Sequence, residues 1–142
     1  MKKFDKVLVI DDDPIYNYSL QILLTNHQMA KDFFTSFIDA EEAILFLEQH
    51  SADAAQLPDV IFLDISMPMM SGWEFLEEYK ELSKQFCKPV ELFVVSSSIN
   101  RGDILRAKSY KEVSDYITKP LTSQVLQKMM AQEASLPTPL GK

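Results

Sequence analysis

Val7-Leu8-Val9-Ile10-Asp11-Asp12-Asp13-Pro14 decides how this chain reads: four β-formers run straight into three acids and a proline. A continuous apolar run, rather than an alternating one, marks a strand buried on both faces of its sheet. Pro14 has a preset φ and no N–H to lose, so it suits the first position of a helix, with Asp13 as its cap. The stretch therefore predicts a strand, an acidic turn and a helix over Ile15 to His27.

The same order recurs along the chain. Lys31 to Phe37, Val60 to Leu63, Leu92 to Val95 and Val113 to Ile117 are the further strand candidates. Between them lie amphipathic stretches. Asp39-Ala40-Glu41-Glu42 and Ser71-Gly72-Trp73-Glu74 read as helix starts of the capping-box kind. Ala40, Ala43, Ile44 and Leu47 follow the first at helical spacing, and Leu76, Tyr79, Leu82 and Phe86 follow the second. Asn100 caps a short helix holding Ile104, Leu105 and Ala107, and Leu121, Val125 and Met129 mark a last one. Strand and helix alternate five times, which implies right-handed crossovers and a parallel sheet covered on both faces. The expected class is α/β, a doubly wound five-stranded parallel sheet with five helices. The domain is expected over residues 5–132, with 133–142 as a short flexible tail too small to fold alone.

Composition narrows the function. Lys plus Arg is 14 and Asp plus Glu is 21, for a net charge of −7. That sign argues against nucleic-acid binding, which needs a basic face, and against anionic membrane surfaces. One cysteine, Cys87, excludes an intramolecular disulfide and a cysteine-based zinc site. No apolar run approaches the length of a signal-peptide core or a membrane span, so the expected compartment is the cytoplasm.

In doubly wound sheets, ligands bind where the strands end at their carboxyl edge. Here the first strand ends in Asp11-Asp12-Asp13, the third in Asp64, the fourth in Ser96-Ser97-Ser98, and the fifth is followed by Thr118-Lys119-Pro120. If the first and third strands are neighbours, several carboxylates converge and repel one another. A hard divalent cation, Mg²⁺ or Mn²⁺, resolves that repulsion and brings a phosphorylated partner with it. Lys119 and the Ser96 hydroxyl suit the oxygens of a phosphoryl group in transfer. Taken singly, each motif has a plain reading: a polar turn, a helix cap, a surface lysine. Met67-Pro68 behind Asp64 and Gly72 beyond it point to a constrained loop there, because glycine permits backbone shapes that other residues cannot adopt.

Four segments together resemble the receiver domain of two-component response regulators, of the CheY-like superfamily. They are Val9-Ile10-Asp11-Asp12-Asp13-Pro14, Leu63-Asp64-Ile65-Ser66-Met67-Pro68-Met69-Met70-Ser71-Gly72, Val94-Val95-Ser96-Ser97 and Tyr116-Ile117-Thr118-Lys119-Pro120-Leu121. The resemblance covers about residues 5 to 132 and implies a flavodoxin-like sheet with strand order 2-1-3-4-5. It implies that Asp64 is the phosphoacceptor. Asp12 would bind Mg²⁺ directly, Asp11 mainly through water, and Ser66 through its backbone carbonyl. Ser96 would hydrogen-bond the phosphoryl group, Lys119 would pair with it, and Tyr116 would follow the state of Ser96. Pro120 is the candidate for a cis peptide bond. The donor would be a sensor histidine kinase or a phosphotransfer protein, and an output protein would read the change. The expectation is a stand-alone switch that would catalyse only its own phosphorylation and dephosphorylation. The competing reading is a Mg²⁺-dependent phosphatase of the haloacid-dehalogenase type, using the Asp-x-Asp spacing of Asp11 and Asp13.

Overall fold

The computed structural model describes residues 4–67 and 70–135, without the side chains of 132–135. Pro68 and Met69 of the expected constrained loop lie outside the described residues, as do 136–142 of the expected tail.

Five strands, β1 (Lys6–Ile10), β2 (Phe33–Phe37), β3 (Val60–Leu63), β4 (Glu91–Ser96) and β5 (Asp115–Thr118), form one sheet in the order β2-β1-β3-β4-β5. All four pairings are parallel. The helices are α1 (Pro14–Asn26), α2 (Ala40–Gln49), α3 (Gly72–Leu82), α4 (Arg101–Lys108) and α5 (Ser123–Ser135). Alternate strand residues feed two cores. Leu8, Ile10, Ile61, Leu63, Leu92 and Val94 pack with α2 and α3, and with Ala107 of α4. Val7, Val9, Val60, Phe62, Phe93 and Val95 pack with Leu20 and Leu24 of α1 and Leu126 and Met129 of α5. With apolar side chains needed on both faces, each run is uninterrupted in the sequence.

Local chemistry sets the helix ends. Asp13 Oδ1 accepts from the N–H groups of Ile15 and Tyr16 at 3.0 and 3.2 Å, with Pro14 behind it. Ser71 and Glu74 form the reciprocal capping box at α3. Asn100 caps α4 through the N–H of Asp103. Asp39 caps α2 through Glu41, one residue short of the capping-box partner. His27 and His50 sit at the C-terminal caps of α1 and α2.

Several boundaries differ from the sequence reading. Phe86 lies beyond α3, because the chain tightens into a 3-10 turn over Ser83–Gln85; its ring still meets Tyr79, edge-on at 5.7 Å between centroids. β2 begins at Phe33 and β5 at Asp115, each two residues later than the apolar pattern suggests. Val113 is buried by packing rather than by ladder bonding. Leu121 is buried ahead of α5, and α5 runs through Ser135, into the expected tail.

The α1–β2 connection carries a small strain. Met29 N–H donates to Leu24 O and Gln28 N–H to Thr25 O, the paired bonds of a Schellman motif, with Gln28 at φ 59°. That left-handed position favours glycine. Gln28→Gly is expected to stabilise the protein by about 0.5 kcal/mol, net of the entropy glycine adds to the unfolded chain. A urea midpoint that stays put or falls would contradict this.

Candidate functional site

Strand register brings the acids together. Ile10 pairs with Leu63, so Asp11 and Asp64 leave adjacent strands side by side, and Asp64 N–H donates back to Ile10 O at 2.9 Å. Ser96 pairs with Thr118, and Lys119 N–H donates to Ser96 O at 2.8 Å, which carries Lys119 to the same edge. The Lys119–Pro120 peptide is cis.

Carboxylate oxygens of Asp11, Asp12 and Asp64 all lie within 4.8 Å of one another. Asp11 and Asp64 are buried, at 2% and 7% exposure, while Asp12 is exposed. Lys119 Nζ is 2.8 Å from Asp11 Oδ2 and 3.8 Å from Asp64 Oδ2. Burial pushes the Asp64 carboxyl above the usual carboxylate range. The Ser66 N–H on Oδ1 and Lys119 oppose that rise, and Asp11 and Asp12 add to it. Among the described residues, three carboxylates thus cluster beside one ammonium. A divalent cation fits this oxygen-only, net-negative set, because it supplies the positive charge the protein leaves short.

Around this centre the remaining candidates form a chain. The Ser96 side chain is fully buried, and its Oγ accepts from Ser98 N–H at 3.2 Å. Tyr116 is turned inward at 9% exposure, and its hydroxyl donates to Ser98 O at 2.6 Å. Ser98 Oγ donates to Asp103 Oδ2 at 2.7 Å, tying the loop after β4 to the first turn of α4. Ser66 contributes its N–H at the site, and its side chain is exposed.

Gly72 has a different part from the one its residue type suggests. No glycine has positive φ among the described residues. Instead α3 starts against the loop after β3: a Cβ on Gly72 would stand 2.4 Å from Ile65 Cα and 2.8 Å from Asp64 O. Close approach, not backbone freedom, is what requires glycine there.

Two residues of α1 escaped the sequence reading. Asn17 is buried and donates from Nδ2 to Asp11 O at 2.9 Å, fixing the backbone that leads into Asp12. Tyr16 lies with its ring 4.1 Å from Lys119 Nζ. Their signal was present in the sequence: once Asp13 and Pro14 start a helix, the first turn must pass beside the acidic turn it grows from.

Comparison with known proteins agrees with this geometry. The model of the response regulator receiver domain matches residues 7–131. Two-component response regulator ORR1 of Oryza sativa subsp. japonica is 33% identical over 125 residues, which is 87% of this chain and 53% of that protein. The chain therefore spans about half the length of that relative. A two component response regulator from Cytophaga hutchinsonii superposes with a TM-score of 0.75 at 29% identity, covering 95% of this chain and 100% of that one. A CheX-CheY-BeF3-Mg complex from Borrelia burgdorferi gives a TM-score of 0.71 at 25% identity, covering 89% and 87%. Sheet order and carboxyl-edge site define a doubly wound receiver of two-component signalling. The chain belongs to the response regulator receiver domain family.

The phosphatase alternative is not supported. Asp13 spends its carboxylate on the α1 cap, and its own N–H donates to Asp11 Oδ1 at 3.0 Å, so it is not a second acid for a site centred on Asp11. Among the described residues no helix is long and apolar enough to cross a membrane.

Proposed function

We propose that this receiver accepts a phosphoryl group on Asp64 and signals through the loop after β4. One observation carries the reading: Asp64 is buried, with one oxygen held by the Ser66 N–H and the other facing Lys119, and Asp11 and Asp12 stand beside it. Pinned at one oxygen, the carboxylate presents the other as a nucleophile. That oxygen attacks phosphorus, the bond from phosphorus to the donor histidine nitrogen breaks, and an acyl phosphate forms. Lys119 pairs with the phosphoryl oxygens, and the Ser96 hydroxyl donates to one of them.

Asp11, Asp12, Asp64 and the Ser66 carbonyl are the groups that would hold Mg²⁺, with Mn²⁺ as an alternative. When bound, the ion neutralises charge on the transferring phosphoryl group. On phosphorylation Ser96 turns toward Asp64, its bond with Ser98 is lost, and the Tyr116 contact with Ser98 O resets the start of α4. The donor is a histidine kinase or a phosphotransfer protein, an output protein reads the change, and the receiver's own chemistry is the making and hydrolysing of its acyl phosphate in the cytoplasm.

The test is intact-mass spectrometry after incubation with phosphoramidate. A gain of one phosphoryl group that needs Mg²⁺ and maps to the peptide holding Asp64 is expected. A gain elsewhere, or one indifferent to Mg²⁺, would refute the assignment.

A further inference from the structure

Among the described residues, Lys119 Nζ faces two carboxylates and one aromatic ring. Asp11 Oδ2 is at 2.8 Å, Asp64 Oδ2 at 3.8 Å and the centre of the Tyr16 ring at 4.1 Å. The two carboxylates belong to the group that would hold a cation and receive phosphate, so their charge toward the lysine changes during signalling. The ring does not change. It is set in the first turn of α1 by the Asp13 cap, to which Tyr16 N–H donates at 3.2 Å. The Tyr16 hydroxyl is buried and without a hydrogen-bond partner among the described residues, so the residue meets the lysine through its ring face and not through a hydrogen bond.

We propose that Tyr16 is a positioning residue: its ring holds the Lys119 ammonium at the acid cluster through a cation–π contact. Without it, the neighbours the ammonium keeps among the described residues are carboxylates whose charge changes during signalling. With it, one partner stays in place while Asp11 shares its charge with a divalent cation. The inference rests on Asp64 being the phosphoacceptor.

The test uses the full chain at saturating Mg²⁺, comparing initial rates of phosphorylation by phosphoramidate. Tyr16→Leu is expected to be at least about fivefold slower, within the strength of a partly desolvated cation–π contact. Tyr16→Phe, which keeps the ring, should recover most of that loss. In a Lys119→Gln background, adding Tyr16→Leu should leave the residual rate unchanged, because the partner of the ring is gone. Mg²⁺ affinity measured by calorimetry should change less than about twofold, since the contact on which the proposal rests is with the lysine, which is outside the proposed ligand set.

Wild-type rates in Tyr16→Leu, equal losses in Tyr16→Leu and Tyr16→Phe, or a Tyr16→Leu deficit undiminished beside Lys119→Gln would each overturn the proposal. A second readout is independent of phosphorylation. The Lys119 Cε protons should carry an upfield ring-current shift in the parent and in Tyr16→Phe, and lose it in Tyr16→Leu. Its absence from the parent also overturns the contact. A parent that keeps the shift but accepts no phosphoryl group would instead defeat the reading of Asp64.

Discussion

Asp64→Asn is expected to lose the phosphoryl gain completely and to melt at a higher temperature than the parent in metal-free buffer. The first effect follows from chemistry: an amide oxygen is not a carboxylate nucleophile. The second follows from electrostatics. Asp64 is buried beside Asp11 and Asp12, and its carboxyl is raised chiefly by desolvation. A carboxyl raised in the folded state binds its proton more tightly there than in the unfolded chain. Its contribution to stability therefore falls as pH rises from the ordinary carboxylate range through the raised value, and the full cost is present above that value. Asparagine removes the charge and keeps an acceptor for the Ser66 N–H. The expected gain is about 3 °C or more, which corresponds to ~1 kcal/mol in a domain of this size. Mg²⁺ should raise the parent's Tm with concentration and raise that of Asp64→Asn much less. Calorimetric scans with and without the ion check both; a variant that melts lower in metal-free buffer would contradict the electrostatic argument.

Gly72→Ala should damage both fold and site. The added methyl would meet backbone, Ile65 Cα at 2.4 Å and Asp64 O at 2.8 Å, and backbone cannot rotate aside as a side chain can. Forced overpacking of this kind costs ~3 kcal/mol. The atoms that must yield carry Asp64, so phosphorylation should slow as well. Gly102→Ala is the internal control. At Gly102 an added Cβ meets only the side-chain oxygen of Asn100, at 3.0 Å, and the helix propensity of alanine, worth about 1 kcal/mol, offsets that contact. Urea midpoints should separate the two alanine variants widely. Equal midpoints would mean that the α3 start moves away from the strand end at little cost.

How much of this was legible beforehand depends on the range of the interaction. β3 matches its apolar run, Val60 to Leu63, because both faces of a central strand are covered. The caps of Asp13, Ser71 and Asn100 were legible because they join residues two or three apart. The four-residue constellation of Asp11, Asp12, Asp64 and Lys119 was legible because each member ends or follows a recognisable strand. Contacts made across the fold were not. Phe86 kept helical spacing although the helix had already tightened, since its burial comes from Tyr79 and not from periodicity. Gly72 could be recognised as special, but whether the reason was φ or close approach depends on where Ile65 lies. Tyr16 and Asn17 carried no motif; only their place on the first turn of α1 gives them neighbours.

The Lys119–Asp11 contact joins residues 108 positions apart. On the ribosome β1, β2 and β3, and with them the three carboxylates, emerge well before the lysine does. During that interval the acid cluster has no ammonium of its own, and its demand for a cation is at its greatest. The divalent cation proposed for this site would stand in for the missing lysine during that interval, which makes the ion an aid to assembly before it is an aid to phosphoryl transfer.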